Sequence, residues 1–195
     1  MGGVGKGERV VVAMSGGVDS STTAGLLVEQ GYDVIGMTMQ LYDRKEMGEE
    51  VKGSCCSLDD VFDARRVAEA LDIPFYVINY QDAFKKLVVE NMSQEYLSGR
   101  TPNPCIRCND FMKFRLMLKR AMSMGATALA TGHYAQICQE DGIWRLRRAV
   151  DPDKDQTYFL YGMNQEQLSR VRFPLGGMTK PEVRAHAERL ALPTA

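Results

Sequence analysis

Residues 8–21 read ERVVVAMSGGVDSS, and this stretch decides the fold. Glu8 to Met14 is an apolar run of strand length rich in β-branched residues, the pattern of a buried parallel strand. Ser15-Gly16-Gly17 makes a turn, and Val18 to Gln30 has helical spacing at Ala24, Leu27 and Val28. Gly31 is placed to stop that helix. Glycines in such a turn let the backbone bend sharply and approach an anion with no Cβ in the way. The helix that follows offers unpaired N–H groups and the positive end of its dipole, which together hold phosphate. Ser15, Ser20 and Ser21 can add hydroxyl donors. No lysine follows the second glycine, so the turn is not the G-x-x-x-x-G-K-[ST] loop, and G-x-G-x-x-G is absent as well. A carboxylate inside an anion loop repels phosphate unless a cation intervenes, so Asp19 is expected to face Mg²⁺.

Outward from this turn, strands and helices alternate. Tyr32 to Met39 reads as a second strand, Gln40 to Ser54 as a charged loop, and Ser57 to Asp60 as a capping box. That box opens a helix with Val61, Ala64, Ala68 and Leu71 on one face. Ile73 to Asn79 is a third strand, and Asp82 to Leu97 a helix. Thr101-Pro102-Asn103-Pro104 reads as a rigid extended loop leading to Cys105 and Cys108. Asn109 then caps a helix running to Gly125, with Phe111, Phe114, Met117, Leu118 and Met122 as its apolar stripe. Ala126 to Ala130 is a fourth strand, ending in Thr131-Gly132-His133-Tyr134. The alternation predicts an α/β fold, a doubly wound, mainly parallel sheet with helices on both faces.

Beyond Tyr134 the pattern changes. Ala135 to Cys138 and Ile143 to Arg148 flank Asp141-Gly142, a hairpin signal. Thr179-x-x-Glu182 starts a last helix to about Leu190. The expected division is therefore 1–134 as one domain and 135–195 as the start of a second, smaller one. The sequence stops at Leu192-Pro193-Thr194-Ala195 with no closing element, which leads to the expectation of a longer protein.

Composition sets broad limits. The 195 residues are 45% hydrophobic and 25% charged, with a net charge of −1. Bulk charge thus does not mark a nucleic-acid binder, and a polyanion would need a local patch, for which Arg145, Arg147, Arg148 and Lys154 are the dense candidate. No apolar run approaches the roughly 20 residues that span a bilayer. Met1 to Arg9 lacks the apolar core of a signal peptide, so a cytosolic location is expected.

Five cysteines in such a chain do not suggest a disulfide framework. Cys138 reads as a small buried hydrophobe, and Cys55-Cys56 stay unassigned. Cys105-x-x-Cys108 is open to redox, metal or nucleophilic roles. A cysteine placed just before a helix gains thiolate character from the dipole, and Arg107 and Lys113 would add to it. No second C-x-x-C or His pair completes a zinc site. His133, after a strand end, is expected near the site, and His186 on the surface.

The stretch A-M-S-G-G-V-D-S-S resembles the ATP-pyrophosphatase (PP-loop) superfamily, of adenine nucleotide alpha hydrolase-like fold. Gly99 to Asn109, G-R-T-P-N-P-C-I-R-C-N, narrows the resemblance to the tRNA-specific 2-thiouridylase family (MnmA/TrmU type). Gly36-Met37-Thr38-Met39, Cys55-Cys56-Ser57, Ala130 to Tyr134 and Asp153 to Leu160 match the same pattern. The resemblance implies ATP contacts at Ala13, Met14, Ser15, Gly16, Gly17, Val18, Asp19, Ser20, Ser21, Met39 and Gly132. It implies a catalytic Cys108, with Cys105 and Asp19 beside it. Asn103, Pro104 and Cys105 would line the target base, and Lys154, Asp155 and Gln156 would contact tRNA.

The implied reaction is ATP-dependent adenylation of the C2 oxygen of a wobble uridine, followed by sulfur transfer. A sulfur-donor protein is the implied partner, with no DNA or membrane. Many members have Asp where this chain has Cys105. C-x-x-C versions look like those holding a [4Fe–4S] cluster with a third cysteine further on. Cysteine persulfide and iron–sulfur cluster therefore both stand as sulfur carriers, with Cys105 and Cys108 as the cluster's candidate ligands. Family members continue for well over a hundred residues more, with a second functional cysteine soon after Ala195. Two other readings follow: a non-catalytic ATP- or tRNA-binding module, or a PP-loop enzyme that sulfurates or amidates another acceptor.

Overall fold

The computed structural model describes residues 7–42 and 58–195. The expectations for Cys55-Cys56, for residues 43–54 of the charged loop and for Ser57 as a cap fall outside the described residues, while Gln40, expected to open that loop, is the last residue of the second strand.

Five parallel strands form one sheet in the order β3-β2-β1-β4-β7. They are β1 (Arg9–Ala13), β2 (Asp33–Gln40), β3 (Phe75–Asn79), β4 (Ala128–Thr131) and β7 (Val171–Arg172). Between β4 and β7 lies the antiparallel hairpin β5 (Gln136–Glu140) and β6 (Ile143–Arg147). Its turn places both Asp141 (φ 51°) and Gly142 (φ 79°) in the left-handed region, as a two-residue hairpin turn of matching twist requires.

Alternation along β1 sorts the core into two layers. Val10 and Val12 face one side of the sheet, together with α1 (Val18–Glu29), α2 (Leu58–Ala70) and the last helix, Lys180–Arg189. Val11 faces the other side, against a helical run over 81–97, here α3, and a second over 104–123, here α4. All three valines are at most 1% exposed, which contributes about 1.5–3 kcal/mol each. The expected doubly wound α/β sheet is present.

Some expectations need correction. The helix expected to begin at Asn109 begins at Pro104, with Asn103 as its cap. Pro-Asn-Pro reads as extended chain, yet proline is also favoured at a helix's first position because its missing N–H costs nothing there. Both α3 and α4 carry a stretch of wider i→i+5 bonding, over Lys85–Val89 and Cys108–Met117. Cys138, expected to be buried, is only half-buried on the hairpin. β7 and α5 (Gln165–Arg170) have no counterpart in the sequence reading. The sheet thus draws strands from both sides of residue 134. The last helix, α6 (Lys180–Arg189), starts at the expected capping box, Thr179 with Glu182. Among the described residues no helix is long and apolar enough to cross a membrane.

Candidate functional site

The chain reverses direction across the sheet between β1 and β4, and the carboxyl ends of these neighbouring strands leave a crevice where open α/β sheets hold their ligands. A cavity of about 360 Å³ sits there.

Its floor is the turn after β1. Gly16 has φ 78°, and a Cβ on it would lie 2.4 Å from the carbonyl oxygen of Asp60 in α2. Glycine is needed on both counts. Ser20 Oγ accepts from the Ser15 N–H (3.1 Å) and donates to the Gly17 carbonyl (3.0 Å), which fastens the turn. Ser21 Oγ donates to the same carbonyl. The hydroxyls of Ser20 and Ser21, expected as phosphate donors, are therefore engaged by the Gly17 carbonyl. What remains for an anion is the Ser15 hydroxyl, which lines the cavity 3.4 Å from Ser20 Oγ, and backbone: Gly17 occupies the cap position of α1 with no side-chain cap, so the first-turn amides stay open.

Asp19 stands in that first turn and lines the cavity. Its Oδ1 accepts from the Tyr134 hydroxyl (2.9 Å) and the Lys180 ammonium (2.6 Å). Burial, reinforced by the Asp19 carboxylate, pushes the Tyr134 phenol well above its ordinary pKa. Gly132 lets the end of β4 close on α1, because a Cβ there would lie 2.8 Å from the Asp19 carbonyl carbon and the Ser20 nitrogen. His133 is buried, with Nδ1 2.7 Å from Thr131 Oγ1 and its ring between Phe114 and Phe173. Burial, with Lys113 adding to it, holds its pKa well below the usual value, so the imidazole is neutral near pH 7.

The opposite wall is α4. Asn103 Oδ1 accepts from the N–H groups of Cys105 (3.0 Å) and Ile106 (3.4 Å). Cys105 lies in the first turn and Cys108 one turn on, and both line the cavity with Asn109 and Lys113. Cys108 is thus inside the helix rather than just ahead of it, and Asn109, expected as a cap, is buried in its interior. Arg107, expected to support a thiolate, instead donates to the Leu87 carbonyl of α3 (3.0 Å) and stacks on Phe111.

The cavity brings together Ala13, Met14, Ser15, Asp19 and Ser20 with Met39 and Gly132, and adds Cys105, Cys108 and Gln156. Gly16, Gly17, Val18 and Ser21 shape the turn from behind, while Asn103, Pro104, Lys154 and Asp155 stay outside its lining. Gln156 is bonded twice to Tyr134, accepting from its N–H and donating its own N–H to the carbonyl. Asp155 accepts from the Ala149 N–H and the Thr157 hydroxyl, so it shapes its loop, and Lys154 is exposed. The expected basic patch carries its own counter-charges. Arg145 (3.1 Å) and Arg147 both pair with Glu140, and Arg148 lies 4.0 Å from Asp155. His186 is half-buried beside Arg189. Sequence reasoning missed Lys180 and Tyr134, because nothing local joins residues so far along the chain to Asp19.

A parallel sheet of this order with an open, glycine-turned helix end at its crevice defines a PP-loop protein of the adenine nucleotide alpha hydrolase-like class. The family model described as tRNA methyl transferase HUP domain matches residues 8–195. The tRNA-specific 2-thiouridylase MnmA of Geobacter metallireducens is 56% identical over 192 residues, covering 96% of this chain and 52% of the relative. That of Heliobacterium modesticaldum is 56% identical over 190 residues, covering 96% and 49%. The chain belongs to the tRNA-specific 2-thiouridylase (MnmA/TrmU type) family, and spans about half the length of these curated relatives. Among solved structures, a 4-thiouridine synthetase–RNA complex with bound ATP shares the fold, with a TM-score of 0.64 and 18% identity over 95% of this chain and 41% of that one. NMN synthetase from Francisella tularensis does so at 0.56 and 17%, over 96% and 63%.

Proposed function

We propose that this chain is the ATP-binding portion of a cytosolic tRNA-uridine 2-sulfurtransferase, acting on the wobble uridine. The observation that carries the reading is the single cavity in which the open end of α1 faces two thiols of α4. Its volume of about 360 Å³ lies in the range of small-molecule sites. Uridine's C2 oxygen is a poor leaving group. ATP supplies the remedy, since attack of that oxygen on the α-phosphorus releases pyrophosphate and leaves AMP attached, ready to depart when sulfur attacks C2.

The chain's own groups divide this work. The first-turn amides of α1 hold phosphate oxygens, and Ala13, Met39 and Gly132 border the nucleotide. Asp19 is the carboxylate that would hold Mg²⁺; one carboxylate plus substrate phosphates is the usual provision for that ion. Cys108 carries the sulfur received from a donor protein, and Cys105, with Asn103 and Pro104 behind it, borders the base. Exposed Lys154 and cavity-lining Gln156 would contact tRNA, with Asp155 holding their loop. A [4Fe–4S] cluster is the alternative sulfur carrier, for which Cys105 and Cys108 would be two of the ligands. Both thiols line the same cavity, and either carrier would present its sulfur there.

ATP–pyrophosphate exchange, measured with and without tRNA bearing a wobble uridine, tests the reading. Exchange that rises with that tRNA supports it, and exchange indifferent to tRNA points to another acceptor. Cys108→Ser should abolish thiolation while leaving exchange in place. Thiolation by the chain alone, set against a longer protein that contains it, separates a catalytic unit from a binding module.

A further inference from the structure

The Asp19 carboxylate is used asymmetrically. Oδ1 takes both the Lys180 ammonium (2.6 Å) and the Tyr134 hydroxyl (2.9 Å), while Oδ2 makes no hydrogen bond among the described residues. Lysine side chains are long and usually wander in solvent, but this one is only 19% exposed. Its ammonium also lies 5.9 Å from the centre of the Tyr134 ring. Its backbone is fixed as well: the Lys180 N–H donates to Asp151 Oδ2 at 2.8 Å, and the Thr179–Glu182 capping box sets the start of α6. A cation from residue 180 is thereby held against the first turn of α1 through Asp19, next to the residues that line the cavity.

We infer that Lys180 is a nucleotide-positioning residue, held by Asp19 so that its ammonium contacts the β- and γ-phosphates of ATP while Oδ2 of the same carboxylate faces the divalent cation. The inference rests on the ATP reading above and adds a group and a selectivity to it. A lone carboxylate beside the open amides would repel a triphosphate. Paired with Lys180 it is neutral overall, and the positive member is the one with three donors to offer. Charge-assisted N–H···O contacts to phosphate are strong and reach only the part of the ligand they touch. Lys180 thus favours ATP over AMP, and it would hold the departing pyrophosphate rather than the adenylated product. Because α6 follows the hairpin and β7 in the chain, the segment beyond β4 takes a direct part in phosphate recognition.

Calorimetric titration with ATP and with AMP, in magnesium, is the test, run on the parent chain, Lys180→Met and Lys180→Arg. Lys180→Met should weaken ATP at least tenfold and leave AMP within twofold, and Lys180→Arg should recover most of the loss. An unchanged ATP affinity in Lys180→Met overturns the inference and leaves the ATP reading standing. An equal loss of ATP and AMP also overturns it, since that marks a merely structural lysine. Failure of the parent chain to bind ATP overturns both. Should Lys180→Met not fold, the same ratio is read between Asp19→Asn and Asp19→Asn/Lys180→Met, where no carboxylate is left unpaired. The second substitution should still cost ATP tenfold and AMP nothing.

Discussion

Two helix N-termini face the same cavity, and they are finished in opposite ways. α1 begins at Gly17, which has no side chain to give, and its first-turn amides are open. α4 begins at Asn103, whose side chain accepts from two of the first-turn amides. Every helix start has unpaired donors, so the difference lies in whether the chain keeps them for itself. The open end offers backbone to an anion. The closed end is a fixed platform for the two thiols it displays, at Cys105 and Cys108. Nearby hydroxyls reinforce the contrast, because Ser20 and Ser21 are spent on the Gly17 carbonyl and add rigidity rather than donors.

The sharpest way to break this contrast is Gly16→Ala. With φ at 78° and the Asp60 carbonyl 2.4 Å from the added Cβ, the turn must move. Stability should fall by about 2–4 kcal/mol, read by denaturant unfolding, and ATP affinity should be lost. Gly17→Asp tests the open end itself. Gly17 has φ −82°, which any residue adopts, and the nearest atom to a new Cβ is 3.9 Å away. The carboxylate should cap α1 and stabilise it by a few tenths of a kcal/mol while weakening ATP about tenfold or more, since it occupies the anion's place. Stability and affinity moving in opposite directions is the outcome to look for by melting and titration.

At the closed end, Asn103→Ala should cost about 1 kcal/mol, a fall of roughly 2–4 °C in Tm. ATP affinity should stay within twofold, and thiolation should slow as the thiols lose their platform. The smallest effect is expected at His133, packed between the end of β4 and Phe114 of α4. Its folded pKa lies well below the ordinary value near 6.5. Below about pH 6.5 the unfolded chain therefore binds a proton that the folded chain refuses, and stability falls as the pH drops. The slope is at most about 1.4 kcal/mol per pH unit. His133→Gln should flatten that part of a Tm-against-pH curve and leave the rest.

Local chemistry made much of this visible beforehand. A valine run followed by two glycines and a helical pattern admits few other arrangements, and Asp141-Gly142 carries its own turn geometry. Where the reading slipped, a competing local signal won. Pro102 and Pro104 suggested extended chain, although Pro104 sits at a helix's first position with an Asn before it, the combination that starts helices. Asn164 and Gln167 form a capping box for α5, a signal present in the sequence but masked by the polar stretch around it. β7 has two residues, too few for any periodicity. Lys180 and Tyr134 could not be found at all from spacing. Their meeting with Asp19 is made by the sheet, which returns the chain to its first turn after 161 residues. The wider winding over Cys108–Met117 was equally hidden, since a stripe of apolar side chains fits both kinds of helix.

The brevity of β7 has a practical side. Val171 and Arg172 are the whole of the sheet's last rung, laid against Leu129 and Ala130 of β4, all four residues of which are buried. Trimming the protein back to residue 134 would strip that rung and α6 away. β4 would then be an uncovered apolar margin with unpaired amides and carbonyls, the feature through which sheets from separate molecules stick together. Such a piece is expected to elute as aggregates in gel filtration, so any attempt to isolate the nucleotide half alone should cut no earlier than the end of α6.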